Sequence, residues 1–477
     1  MPKSHPMLQP WQPSPEAQWD AVRAGHLLNR AGFGGTPEEV AALVRLGPVR
    51  AVDALLDFPD APAAEQKQGD GPDWSVLAEI PLTNAERRQA QFQLRGEANE
   101  QARQELNNKW QRASGEFLAD ATRWWLNRMA GGPHPLQERL VLFWHGHFTS
   151  SYRDDRQGSW RLWNQNELLR RHAAGNFREL VAAVSRDPAM LSYLNNNRNV
   201  KARPNENYAR ELMELFTLGI GNYTEDDVKQ VARAFTGWGH DGVRYVFTRR
   251  QHDDGEKVVF GRRGAFGGDE VVALLMDHPA CAPYVAGKVW DYFAGGDLGE
   301  DVRAELGQTL RRNGYELRPL LRVILRSKAF YAPERIGGRI KSPVNLLVGT
   351  CRLLGVPVPN VPETRRELDR MGQVVFEPPN VKGWPGHYEP RKWINTATLL
   401  ARYNFAMRLV DRAPLDRAAP AEEPERFVDA WLGRLIGRPV EETKRRRLIQ
   451  AAANNDPKRG RAEAVKLIVS MPEYQLC

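Results

Sequence analysis

The stretch PNENYARELMELFTLGIGNYTEDDVKQVARAFTGW, residues 204–238, decides the fold. With Glu211 as the reference on a helical wheel, Tyr208, Leu212, Leu215, Phe216 and Leu218 gather on one side, as a core-facing helix requires. Asn207, Glu211 and Glu214 then fall along one border of that stripe. Carboxylates three residues apart project in the same direction, so two oxygen donors can converge on a metal or share a proton. Glu206, Arg210 and Glu214, spaced by four, equally form a solvated charge ladder stabilising by roughly 0.3 kcal/mol per pair. After a glycine turn, Thr224 and Asp227 make a capping-box start for a second helix, with acids at its positive end. Val228, Val231, Ala232 and Phe235 repeat at helical spacing, and Gly237 stops the run.

Working outward, the 477 residues suffice for two or three domains, or for one large helical body with appendages. A hydrophobic fraction of 42% and a charged fraction of 26% are those of a soluble globular protein. No run approaches the roughly 18 apolar residues of a membrane span. The opening MPKSHPMLQPWQPSPEAQW has neither an apolar export core nor twin arginines, so a cytoplasmic protein is expected, with export alongside a partner as the other route. Cys281, Cys351 and Cys477 are too few and too scattered for a disulfide framework or a thiolate zinc site. The net charge of +8 favours acidic partners. Because the basic residues are spread among acids and no nucleic-acid motif accompanies them, an anionic polysaccharide or an acidic protein is expected before nucleic acid. Fourteen tryptophans exceed what a core of this size needs, and exposed ones can stack on sugars.

The remaining signals are helical. Thr36 with Glu39 caps a helix that runs to Leu46, residues 49–56 form another, and 84–129 is rich in strong helix formers. Residues 59–73 read as a surface loop. In PLQERLVLFWHGH, residues 135–147, the apolar run 140–144 is hydrophobic all round and predicts deep burial. His145 and His147 lie on opposite sides of a helix but on the same side of a turn, which Gly146 would allow. Glu138 shares a helix face with His145. Tyr245–Phe247 and residues 257–260 flank Asp253, Asp254 and Gly255 as a hairpin, with His240 and His252 at its ends. The loop PPNVKGWPGHYEPRKWIN, 378–395, has the density of large residues found over pockets.

The expected class is mainly α, a large irregular multi-helix body with one short β-hairpin. Its parts are a lead (1–24), a helical core (25–240), the hairpin (241–262), a second helical part (263–410) and C-terminal helices (411–477).

The segments HLLNRAGFGG (26–35), FWHGHF (143–148), HAAGNF (172–177), 205–238, HDDGEK (252–257), QVVFEPPNVKGWPG (373–386) and SMPEYQ (470–475) together resemble the bacterial domain-of-unknown-function family numbered eighteen hundred. That resemblance implies a mainly helical protein, often encoded beside a sulfatase-like protein, in a family of which many members carry export signals.

Two functions are expected from these residues. The first is a metal-dependent enzyme, oxidative or hydrolytic, with His145, His147 and Glu211 holding a divalent ion (Fe, Mn, Zn or Cu) and open positions for water or substrate. Glu214 would bridge a second ion or act as general base. His172 and Asn207 would be extra ligands or orient the others. Glu138, Asn176, Arg210, His252 and Trp384 would border the site. The alternative is a binding or assembly protein whose basic surface and tryptophan-rich loop engage an anionic glycan or the sulfatase-like partner.

Overall fold

The structure is a computed structural model that describes residues 5–59, 71–95, 99–418 and 423–477. The loop expected at 59–73 lies for the most part outside these residues. The chain is mainly helical, as its composition and periodicity require. Most expected helices form with the anticipated starts. Thr36 and Glu39, and Thr224 and Asp227, close reciprocal capping boxes on Pro37–Leu56 and Glu225–Ala234.

The helix Pro135–His147 lies at the centre, and every residue from Leu136 to His147 is buried. It packs against Ala21–Ala31, Pro37–Leu56, the long helix Glu100–Gly131 and Ser159–Arg171. A helix surrounded on all sides needs apolar side chains all round, which Leu136, Leu140, Val141, Leu142, Phe143 and Trp144 supply.

The β structure departs from the expected hairpin. Tyr245–Phe247 pairs backwards with Trp238–His240, while Lys257–Val259 pairs forwards with Arg262–Gly264, so two small antiparallel sheets replace one. Asp253 holds Arg233 instead of turning a hairpin: its carboxylate takes the guanidinium at 2.7 and 3.2 Å, and its own N–H donates to Thr236 Oγ1 at 2.8 Å just past the helix end. Short strands flanking a turn motif do not say which neighbour each will join.

The deciding stretch also folds with a twist of its own. Asn207–Glu211 is α-helical, but Leu212–Thr217 is a π-helix, in which Leu218 N–H reaches back five residues to the Met213 carbonyl at 2.9 Å. The wider turn leaves carbonyls without helical donors. Side chains supply them: Tyr284 Oη donates to the Leu215 carbonyl at 2.9 Å, and His147 Nε2 to the Phe216 carbonyl at 3.1 Å.

Candidate functional site

Where the histidine helix, the π-helix, helix Cys281–Phe293 and the 380–392 loop meet, they enclose a cleft of about 350 Å³. Gly146, His147, Leu215, Tyr284, Lys288 and Trp384 are among its walls, and Asn380, Lys382, Tyr388, Glu389 and Lys392 come from the loop. The loop reaches this close because glycine stands at both points of contact. A Cβ on Gly146 would lie 2.4 Å from the His387 ring, and one on Gly383 would lie 2.4 Å from the Gly146 carbonyl oxygen. Gly146 therefore serves close approach of the loop. The turn expected between the histidines does not form, since the helix continues through His147.

That continuity separates the two imidazoles. His145 faces inward, edge-on to Trp125 and Trp384, and its Nε2 accepts the Phe376 N–H at 3.1 Å. His147 spends both ring nitrogens: Nε2 donates to the Phe216 carbonyl, which can only accept, and Nδ1 accepts from Tyr388 Oη at 2.8 Å. Burial pushes each imidazole down to about 3, so both are neutral at pH 7. The described residues contain no group of three or more His, Cys, Asp or Glu side chains placed to hold a metal ion. Residues two apart on a continuous helix point to opposite sides, so the structure does not bring His145 and His147 together.

The other expected residues divide. Glu211 and Glu214 are half-buried neighbours. Burial, and then the Glu214 charge, raises the Glu211 carboxyl above its usual range, while Lys382 of the cleft and Arg210 draw it down. Tyr223 Oη donates to Glu214 at 2.8 Å. Arg210 joins Glu206 at 3.2 Å and Glu225 at 2.7 Å, so the expected charge ladder forms only in its Glu206–Arg210 rung, and Glu225 takes the place expected of Glu214. Asn207 is exposed. Trp384 is buried in the cleft wall.

Glu138, Asn176 and His252 serve the fold. The Glu138 carboxylate, 1% exposed, accepts from Trp125 Nε1, from Arg128 Nε and twice from Arg170, all within 2.9 Å. Burial pushes it up, but Arg170 and Arg128 outweigh that and hold it below the usual carboxylate range. Asn176 caps helix Phe177–Ser185 and donates to Gly314 and Glu316 at 2.8 Å. His252 Nδ1 is hydrogen-bonded to the Thr236 carbonyl at 2.8 Å, beside the small sheets. His172 ends helix Ser159–Arg171 and is not among the cleft's walls.

A family model described as "Protein of unknown function (DUF1800)" matches residues 26–476. The chain belongs to that family. No curated protein and no solved structure matches it. The family description assigns no activity, so the chemistry of the cleft has to be built from its own residues.

The sequence had not singled out Lys288, Tyr284, Tyr388, Lys382 or Lys392. Lys288 is half-buried, with its ammonium 4.0 Å from the centre of the Tyr388 ring and 5.3 Å from that of Tyr284. Among the described residues it has no hydrogen bond or ion pair. Burial lowers its pKa, with Asp291 and Glu389 partly offsetting that. Lys382 is exposed on the rim with its ammonium likewise unpaired among the described residues, and Lys392 pairs with Glu389 at 2.7 Å. The Trp384 indole N–H is buried without an acceptor among the described residues. The walls thus carry donors in excess: three lysines and an indole N–H against one carboxylate, Glu389.

Proposed function

We propose that this protein binds an acidic glycan, its carboxylate or sulfate groups received by Lys288 in the cleft and by Lys382 and Lys392 at the rim. The single observation that supports this most is the Lys288 ammonium, half-buried in a cleft wall and without an acceptor among the described residues. A buried cation costs free energy unless an anion or hydrogen-bond acceptor meets it, and tyrosine faces supply only part of that. A ligand carboxylate or sulfate supplies the rest. Tyr284 and Tyr388, half-buried in the cleft wall, add apolar surface against which a sugar ring can lie. The net charge of +8 raises the local concentration of such a polyanion.

The test is calorimetric titration with oligogalacturonides and with neutral maltooligosaccharides of equal length. Binding of the acidic series alone, weakened by salt and weakened again in Lys382→Ala/Lys392→Ala, supports the proposal. Equal binding of both series, or of neither, overturns it.

A metal-dependent enzyme would have to be built on Glu211 and Glu214, whose mutual repulsion a cation would relieve. Metal analysis of untagged protein decides that case: near-stoichiometric metal, lost in folded Glu211→Ala, would favour it.

A further inference from the structure

On the other side of the histidine helix lies a second cavity, of about 370 Å³, between helix Glu100–Gly131, the turn at 152–156, helix Val361–Met371 and the segment 374–377. Its walls are apolar: Leu118, Ala119, Val361, Leu368, Val374 and Val375. Its remaining lining is mostly polar and includes three arginines and one carboxylate, Glu377. Arg365 is taken by Glu377, bidentate at 2.8 and 2.7 Å. Arg153 is only loosely held, 3.6 Å from Glu377 and 3.9 Å from Asp369. Arg156, exposed, has no hydrogen bond or ion pair among the described residues.

The wall at 374–377 is stiff. Phe376 sits at φ +62°, a left-handed conformation that costs a side-chain-bearing residue about 1–2 kcal/mol. It is held there by its N–H on His145 Nε2 and by its carbonyl, which accepts the Tyr152 N–H at 2.9 Å. A cavity whose wall is fixed from both sides does not close by side-chain relaxation.

We infer that this cavity is a binding site for a medium-chain aliphatic carboxylate, the chain lying on the leucine and valine walls and the carboxylate meeting Arg153 and Arg156. The size falls within the roughly 300–1,000 Å³ of small-molecule sites, and an apolar interior with a few charged groups at one end is their usual composition. Charge complementarity selects the head group. Arg153, Arg156 and Arg365 face one lining carboxylate, Glu377, which Arg365 already engages, so an anion finds two cations with spare donors and an ammonium finds none of the opposite sign.

The experiment uses the full chain and three probes of equal length, sodium decanoate, decanol and decylammonium, each titrated below its aggregation threshold. Decanoate is expected to bind with a negative heat-capacity change, as burial of its chain requires. Decanol should bind roughly tenfold more weakly, the loss of one charge-assisted contact, and decylammonium not measurably. Ala119→Leu, which fills the cavity from a helix position that tolerates leucine, should abolish decanoate binding. Arg153→Glu/Arg156→Glu, both exposed, should weaken it at least tenfold in folded protein. Failure of decanoate to bind wild type, equal binding of the ammonium, or unchanged binding in both variants would overturn the inference. None of these results bears on the acidic-glycan cleft, whose lysines lie elsewhere.

Discussion

Glu138 and Lys288 are both charged side chains drawn into the same helical body, and they are treated in opposite ways. Glu138 is surrounded by donors from Trp125, Arg128 and Arg170. Lys288 has two tyrosine rings and, among the described residues, no acceptor. A buried charge whose partners are complete belongs to the architecture, and removing one partner strands the others. A charge left open in a cavity wall keeps its donors available to a ligand. Within the HGH motif, His147 resembles Glu138 in having both ring nitrogens engaged, whereas His145 engages Nε2, which accepts the Phe376 N–H.

The largest expected effect comes from breaking the complete cluster. Glu138→Gln leaves Arg170 and Arg128 facing an amide, and the folded state should lose about 3–5 kcal/mol by denaturant unfolding. A loss of under about 1 kcal/mol would mean that Glu138 is no more tightly built into the fold than a surface ion pair. Next, Gly146→Ala sets a methyl against the His387 ring at 2.4 Å, which should cost about 1–3 kcal/mol and lift the 380–392 loop off the helix. Acidic-glycan affinity should fall with it, as titration of the same sample will report.

Lys288→Met sharpens the comparison because its two effects differ in kind. Stability should hold or rise slightly in thermal melts, since a half-buried unpaired cation is removed while the apolar stem remains. Glycan affinity should drop roughly tenfold.

The smallest effect is a pH dependence. Burial raises the Asp187 carboxyl to about 7 in the folded chain, well above an unfolded aspartate. Its contribution is present in full below about pH 4 and is lost as pH rises through about 7. Wild type should therefore lose thermal stability between pH 5 and pH 8 more steeply than Asp187→Asn, which keeps an acceptor for the Met190 N–H that Asp187 now caps at 2.9 Å. Parallel curves would mean that the carboxyl ionises without penalty.

Much of the fold was legible because helices announce themselves locally. The capping boxes at Thr36 and Thr224, the all-round apolar run at 140–144 and the stop at Gly237 each depend on residues within one or two turns. The strand pairing was not legible, since Tyr245–Phe247 could join either flank and only tertiary packing chose Trp238–His240. The π-register at 212–217 was hidden for a related reason: its carbonyls are satisfied by Tyr284 and His147, far away in sequence. Of the candidate site, the tryptophan loop was legible from its density of large residues, and Trp384 stands in the cleft wall as a loop over a pocket requires. Lys288 was not, because a lone lysine between apolar helix positions looks like any solvated one until burial is known. The histidines and Glu138 drew attention as ligand types, yet residue type cannot say whether a ring nitrogen is already spent.

The most direct test is to titrate one oligogalacturonide into wild type and Lys288→Met at low and at high salt, with the folded state of both checked by melting. Wild type is expected to bind, Lys288→Met to bind roughly tenfold more weakly, and added salt to cost the variant less than wild type because it has one charge fewer to screen. Identical affinities and identical salt dependence in the two proteins would contradict that expectation, and would make the open lysine a feature of the fold like any other.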